Sequence, residues 1–407
     1  MTPPDLPAWE PPMRGSNHSG MRQFNERIVL QAIRHHGALP KADLARVTHL
    51  STQTVANVVS RLMNDGLLLK QDRVRGRIGQ PSVPLALNPE GAFSIGIQVG
   101  RRNLELTVVD FCGQRVAGCA RDYDHPDPDH LFDLLDSGLQ GLRAEMGERW
   151  SRVVGAGLTA PLSLHLWGDL LGPGAAAALR RWEGVDLRAE VQARVDLPVL
   201  FAKDTTAACV AELLQGRGRS VRSFLYVFVG TFVGGSVVLD GRVSAGERGN
   251  AGAIGSIPVG LPGPAGKPAQ LLQLASGGLL ERALAEHGLD PMLVRQPDVM
   301  LPPCQSITAD WLERAAASLA MTAVSATALL DIDAVVIDGA LEPSLQAALT
   351  EATRAALNRF EYAGIRQPRL LFGEVGAHAR VLGAALLPLH GLFFPDKDVF
   401  LKPDDAS

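Results

Sequence analysis

Structure becomes legible at Phe24. Phe24, Ile28, Ala32 and Ile33 recur at helical spacing, and His36-Gly37 closes the run. A short second helix is predicted over Lys41–Arg46, with Leu44 and Ala45 on its buried side and Thr48-His49-Leu50 as the turn that follows. Ser51 stands where an N-cap belongs, because its hydroxyl can accept a backbone N–H of the first helical turn. From there Val55, Val58, Val59 and Leu62 form one apolar stripe at i, i+3, i+4 and i+7. The opposite face carries Gln53, Thr54, Asn57, Ser60 and Arg61. Asn64-Asp65-Gly66 stops this third helix, with Gly66 as the C′ residue. Leu67–Leu69 reads as a strand, residues 73–81 as a basic loop, and Val83–Leu87 as the returning strand.

Three helices followed by a basic hairpin predict a winged helix-turn-helix. The polar face of the third helix is nearly uncharged and rich in groups that both donate and accept, which is what the base edges of a major groove require. Ser51, Gln53, Thr54, Asn57 and Arg61 are therefore candidate DNA contacts. Arg75 and Arg77 on the wing are placed to reach phosphates or a narrow minor groove. The same pattern also describes a small helical bundle used only for packing.

Beyond Asn88-Pro89 the pattern changes to short apolar runs alternating with helical ones. Ser94–Val99, Leu104–Asp110, Val153–Leu158, Val199–Phe201, Phe224–Val229, Ser236–Leu239, Ala334–Ile337 and Leu370–Phe372 read as strands. Residues 130–147, 205–215, 277–287, 308–330 and 341–361 read as helices. The alternation predicts an α/β body. Gly230, Gly234, Gly235 and Gly339 lie at strand ends, where they serve either close approach to a phosphate or tight hairpins.

Charge sharpens the division. Residues 1–85 carry 11 Lys+Arg against 6 Asp+Glu, whereas the remainder carries 28 against 37. A basic segment on an acidic body suits a local anionic partner such as nucleic acid. The first 20 residues are proline-bearing and poor in apolar residues, so a disordered tail and a cytoplasmic location are expected. No uninterrupted apolar run is long enough for a membrane helix. Cys112, Cys119, Cys209 and Cys304 make no C-x-x-C pair and are expected as buried thiols, with no metal site and no cofactor.

These segments together resemble the regulator branch of the ROK family (repressors, open reading frames and kinases), over about Phe24 to Leu392. "LPKADLARVTHLSTQTVANVVSRLMNDGLL" is similar to its DNA-binding unit and "RGRIGQPSVPLALNP" to its wing and lead-in. "LPVLFAKDTTAACVAELLQG", "FLYVFVGTFVGGSVVLDGRVSAGERGNAGAIGSIPV" and "AVVIDGAL" follow in family order. The resemblance implies a two-lobed, actin-like (ribonuclease H-like, sugar-kinase-type) body that holds a sugar in its cleft. It also implies departures from the kinases. Gln98 stands where they have an Asp that organises magnesium and phosphates. The catalytic Asn-Asp pair reads Lys203-Asp204, and the sugar loop reads Gly252-Ala253-Ile254-Gly255-Ser256 in place of Gly-Glu-x-Gly-His. The zinc-ligating His and the cysteine cluster are missing, so no zinc is expected there.

The organisation expected is a tail at 1–20, a winged helix-turn-helix at 21–88, a first lobe at 89–215 plus 376–400, and a second lobe at 216–375. The function expected is a non-enzymatic DNA-binding regulator, in this branch most often a repressor. A double-stranded operator, a homodimer or dimer of dimers, and a small sugar-like or anionic effector are its expected partners. Asp204 is the leading effector acceptor, with Lys203, Asn250, Ser256 and Thr159 lining the same pocket. Asp204 is equally placed to cap the helix that starts near Thr205. Two other readings are a sugar kinase with a DNA-binding appendage, and a regulator whose body binds no small molecule.

Overall fold

The computed structural model describes residues 18–72, 83–161, 173–260 and 266–395. Two compact units emerge, one of residues 1–92 with 389–407 and one of residues 93–388. The wing loop, including Arg75 and Arg77, lies outside the described residues.

In the first unit, α1 (His18–His36), α2 (Lys41–Thr48) and α3 (Thr52–Asn64) precede a two-stranded antiparallel ribbon, β1 (Leu68–Lys70) and β2 (Leu85–Leu87). A bridge from Leu39 to Leu85 adds a third edge to the ribbon. The stripe predicted on α3 is the buried one: Val55, Val58, Val59 and Leu62 pack with Leu44 of α2 and Val29, Leu30 and Ile33 of α1. The buried side of α1 is thus rotated from the predicted one, and Phe24 and Ile28 are only half-buried. The helix also begins at His18, within the stretch expected as tail. At the other end of the chain, Phe394 closes this unit, its carbonyl accepting from Arg27 Nη1 (3.2 Å) and its ring lying 4.3 Å from the Arg34 guanidinium.

The second unit is built twice from one plan. Its first sheet contains β3 (Phe93–Val99), β4 (Asn103–Val109), β5 (Arg115–Asp122), β6 (Val153–Ala160) and β7 (Val199–Lys203) in the order β5-β4-β3-β6-β7. β3, β4 and β5 are antiparallel, whereas β6 and β7 run parallel to β3. Helices α4 (Pro128–Met146), α5 (Pro173–Arg180), α6 (Leu187–Gln192) and α7 (Asp204–Gln215) accompany it. The second sheet repeats the order with β8 (Phe224–Val229), β9 (Val233–Leu239), β10 (Arg242–Ser244), β13 (Ala334–Gly339) and β14 (Arg369–Phe372), as β10-β9-β8-β13-β14. A small ribbon of β11 (Pro258–Val259) and β12 (Ala269–Gln270) leads into α8 (Leu272–Ala275), α9 (Gly277–Glu286) and α10 (Gln305–Leu330). α11 (Pro343–Leu357) and α12 (Ala379–Phe393) complete the chain.

α12 returns to the first sheet. A side chain on Gly96 or Gly157 would collide with the carbonyls of Val381 and Ala384, and one on Gly383 with the carbonyl of Ala207 in α7. Ser94 Oγ donates to the Ala385 carbonyl at the same seat. Glycine here therefore sets the spacing between helix and sheet. Gly157→Ala is expected to lower the urea midpoint of unfolding by the equivalent of about 1–3 kcal/mol or more, since backbone must move. Gly141, exposed on α4 with open space around it, is the contrast. Gly141→Ala is expected to raise the midpoint by roughly 0.4–1 kcal/mol. Equal shifts in the two variants would show that helix and sheet are not held this closely.

Candidate functional site

On α3, Ser51 Oγ accepts the Thr54 N–H (3.1 Å) and contacts Thr54 Oγ1 (2.8 Å), so both hydroxyls take part in starting the helix. Gln53 and Asn57 are exposed one turn apart, and Gln53 Nε2 donates to Asn57 Oδ1 (3.3 Å). Arg61 leans the other way: its Nε donates to Glu26 Oε1 of α1 (2.7 Å). The helix thus offers two linked carboxamides to solvent over the N-terminal turns where a recognition helix meets bases. Gly66, with φ of 73°, turns the chain from α3 toward β1. His49, with φ of 55°, makes the turn between α2 and α3.

In the second unit the duplicated topology brings equivalent features face to face. The β3–β4 turn (Gly100 to Arg102) and the β8–β9 turn (Gly230 to Phe232) are counterparts, as are the C-terminal ends of β6 and β13. Arg101, Arg102, Thr231, Pro161, Ala340 and Asp204 all line one cleft. This agrees with the rule that ligands sit beyond the carboxyl ends of strands in open α/β sheets. Gly230 lies in that turn. Gly234 and Gly235 instead let β9 approach Thr205, and Tyr226 and Ile254, so of the strand-end glycines only the turn residue faces the cleft.

The residues expected to hold an effector are dispersed. Asp204 lines the cleft, yet its Oδ1 also accepts the Thr205 N–H (2.8 Å) at the first turn of α7. Lys203 Nζ donates to Asn250 Oδ1 (3.1 Å), which brings that predicted pair together. Burial pulls the Lys203 ammonium below its usual value, against the attraction of Asp204. Ser256 is exposed in a short 3-10 turn, and Thr159 is fully buried with its hydroxyl donating to the Ala202 carbonyl (2.9 Å).

Gln98 is 1% exposed, and neither its Oε1 nor its Nε2 has a partner among the described residues. It sits between Glu105 on β4 and Thr159 on β6. Glu105 is itself engaged with His378 Nδ1 (2.9 Å). A carboxamide beside an occupied carboxylate does not fit the charged oxygen set that magnesium demands. Sequence reasoning found Gln98 but missed Arg101, Arg102, Arg295 and Arg380, which dominate the cleft. Arginines at a turn, in a 3-10 segment and on an unpredicted helix carry no local signal of convergence. Cys209 and Cys304 are buried as expected, whereas Cys112 and Cys119 are half-buried, and none of the four forms a disulfide.

Comparison with known proteins places both units. Residues 94–390 match the ROK family and residues 25–68 match a winged helix-turn-helix DNA-binding family. The xylose repressor of Bacillus subtilis is 21% identical over 244 residues, 60% of this chain and 62% of that protein. The chain therefore aligns with under two thirds of that repressor's length. An uncharacterized protein of Sinorhizobium fredii is 24% identical over 91% of this chain and 92% of its own. Among solved structures, a ROK family transcriptional regulator homologous to the E. coli MLC protein superposes with a TM-score of 0.67 at 20% identity, covering 92% of this chain and 97% of that one. A ROK hexokinase from Thermus thermophilus gives 0.53 at 25% identity over 72% and 97%. Among the described residues, no helix is long and apolar enough to cross a membrane.

Behind the cleft, two buried carboxyls hold the segment between β14 and α12. Glu212 accepts the N–H groups of Arg217, Glu374 and Val375 (2.9–3.3 Å). Asp338 accepts the Tyr226 hydroxyl (2.8 Å) and the N–H groups of Gly339 (2.8 Å) and Gly376 (3.2 Å). Burial pushes both carboxyls above their ordinary values, outweighing the donors that pull them down. Above about pH 4 the unfolded chain releases protons that the folded chain keeps, so this cluster's contribution is full at low pH. It is lost as pH rises through the raised folded values. Glu212→Gln removes one such group, and its urea midpoint is expected to fall less steeply than wild type as pH rises from about 4. Parallel curves would show that folding does not raise the Glu212 carboxyl.

Proposed function

This chain belongs to the ROK family, and from that premise we propose that it is a DNA-binding transcriptional repressor whose affinity for its operator is set by a small molecule in the interlobe cleft. The observation that carries the DNA-binding half is the division of α3. Its Val55–Leu62 stripe is buried, and Gln53 and Asn57 stand exposed on the other side, followed at once by an antiparallel ribbon. A Gln or Asn carboxamide pairs bidentately with adenine N6 and N7 in the major groove. Ser51 and Thr54 begin the helix, where their hydroxyls remain able to accept or donate at a phosphate. Arg61 holds Glu26 through Nε and would reach a phosphate with its remaining guanidinium donors. The wing arginines Arg75 and Arg77 supply the backbone charge. Repressor names among the relatives support the sign of regulation. A homodimer, or a dimer of such dimers, presents two α3 helices to half-sites about 34–36 Å apart.

The body acts on this reading as a sensor without phosphotransfer. Gln98 in place of an acid is the main support, because removing one electrostatic interaction with a transferring phosphoryl group costs about 10² or more in rate. Asp204 accepts a ligand hydroxyl and the Lys203–Asn250 pair adjoins it in the chain through Lys203, whereas Ser256 and the buried Thr159 are not among the residues that line the cleft. Ligand binding shifts the population between lobe arrangements that favour or disfavour DNA, and coupling of this kind typically amounts to about 1–3 kcal/mol.

Sequencing genomic fragments retained by the purified full-length protein tests the reading directly: one recurring, twofold-symmetric site is expected, and recovery of random sequence would refute it. Gln53→Ala or Asn57→Ala is expected to change base preference within that site, at roughly 1–3 kcal/mol for each bidentate amide–adenine pair removed. Equal weakening on cognate and random duplexes would exclude base readout by this face. Replacing Arg75 and Arg77 together with Ala is expected to weaken binding to all duplexes and to flatten its dependence on salt, each phosphate neutralised accounting for about 0.9 of the logarithmic slope. An unchanged slope would remove the wing from the interface.

A further inference from the structure

The body is acidic, yet its cleft gathers Arg101, Arg102, Arg295 and Arg380. Their partners are few. Arg101 Nη1 donates to Glu281 Oε2 (3.2 Å) and to Thr231 Oγ1 (3.4 Å), both on the opposite lobe. Arg102 reaches Met292 Sδ (3.3 Å), a weak acceptor. Among the described residues, none of Arg102, Arg295 and Arg380 forms an ion pair. The Arg380 guanidinium lies over the Phe228 ring at 5.1 Å, and its Nε is buried without an acceptor. Arg380 is half-buried and Arg295 exposed, so of these groups it is the Arg380 Nε donor alone that is buried without an acceptor, and such a donor calls for an explanation.

The geometry around these groups is fixed. The single Tyr123 O–H lies within hydrogen-bonding distance of the carbonyls of Gly100 (2.6 Å) and Asn103 (2.9 Å) and shares its proton between them, pinning the turn that carries Arg101 and Arg102. Arg380 stands in the first turn of α12, whose position is set by the glycine contacts with the first sheet. Arg101 and Arg380 are both held below their usual pKa, first by burial and then by neighbouring arginines that include Arg295. Of the carboxylates, Asp204 acts most strongly on Arg380. The inner part of the cleft measures about 110 Å³. It shares Arg101, Arg102, Thr231, Phe232 and Glu281 with an outer cavity of about 650 Å³. The Arg101–Glu281 pair thus stands as a bar between the two spaces. Only the outer one is as large as small-molecule pockets of roughly 300–1,000 Å³.

We propose that the cleft binds a small hydroxylated ligand through an anionic group, a phosphate or a carboxylate, which takes its hydrogen bonds from Arg102, Arg295 and Arg380 and draws Arg101 away from Glu281. This rests on the reading of the cleft as an effector site and specifies its ligand class. Forked guanidinium donors match both anions bidentately. Asp204, beside Arg380, accepts a hydroxyl of the same molecule. Glu281 is the internal anion that the ligand displaces, so the bar opens as the ligand enters.

The test uses the full-length protein, thermal shift and calorimetry, with inorganic phosphate, glucose 6-phosphate, gluconate and glucose at one ionic strength set with chloride. Saturable stabilisation by phosphate-bearing probes or by gluconate, beyond that of chloride, is expected, and the stronger series identifies the anion. Arg380→Met and Arg295→Met are expected to weaken it at least about tenfold. Glu281→Gln, which releases Arg101 without removing a cation, is expected to tighten it, and this arm holds even where an arginine variant does not fold. An anion response no greater than chloride's, or one untouched by all three substitutions, overturns the proposal. Should glucose alone bind, in a manner abolished in Asp204→Asn, the effector reading stands and the anion assignment falls. Should no small molecule bind while DNA still does, both fall.

Discussion

The contact on which the body depends is between backbones. α12 lies on the first sheet at a distance that Gly96 and Gly157 permit and any side chain would prevent, and Gly383 lets α7 approach from the other side. The consequence reaches past packing. The seat fixes the first turn of α12, and with it Arg380 over Phe228 and His378 against Glu105. Strand ends of the first sheet, the start of α7 and the start of α12 therefore meet as one rigid floor to the cleft. Interiors this dense transmit displacement poorly in small steps and well in discrete ones.

Duplication explains the remainder of the cleft. Each sheet opens with three antiparallel strands and continues with two parallel ones, so each contributes a first hairpin turn and a set of parallel strand ends. Facing each other, the two hairpin turns supply Arg101 and Thr231, which bond directly. Behind them, Glu212 of α7 and Asp338 of β13 hold the chain between β14 and α12 by its N–H groups. The wall of guanidinium groups lies in front of that junction and the buried carboxyls behind it. A change of charge in either place bears on the same connecting segment.

How much of this was legible in the sequence depends on whether a signal is local. The α3 stripe, its Ser51 cap and Gly66 were readable because each acts over one or two turns of a single helix. Most body strands were readable as short apolar runs. β5 escaped because it is an edge strand with half its residues exposed and charges at both ends, and α12 because Gly383 and Pro388 interrupt its apolar run. Gln98 stood out as a departure from a family pattern, but its lack of a hydrogen-bond partner among the described residues could be seen only in three dimensions. The arginine cluster was not legible, since its members lie up to 279 positions apart in the chain, Arg101 to Arg380. Asp204 shows the limit from the other side: the sequence allowed a cap or a ligand acceptor, whereas the structure makes Lys203 the N-cap residue and Asp204 the first residue of the helix, its Oδ1 on the next N–H and the residue lining the cleft.

The hydrogen bond between Gln53 and Asn57 has a further consequence. If the pair reads bases as proposed, this bond already couples the two amides before DNA arrives. Altering one leaves the other without its brace, free to sample orientations that suit different bases. A lineage that drifts toward a new operator would then pass through a promiscuous intermediate, and would regain discrimination only when the second position changed to suit the first.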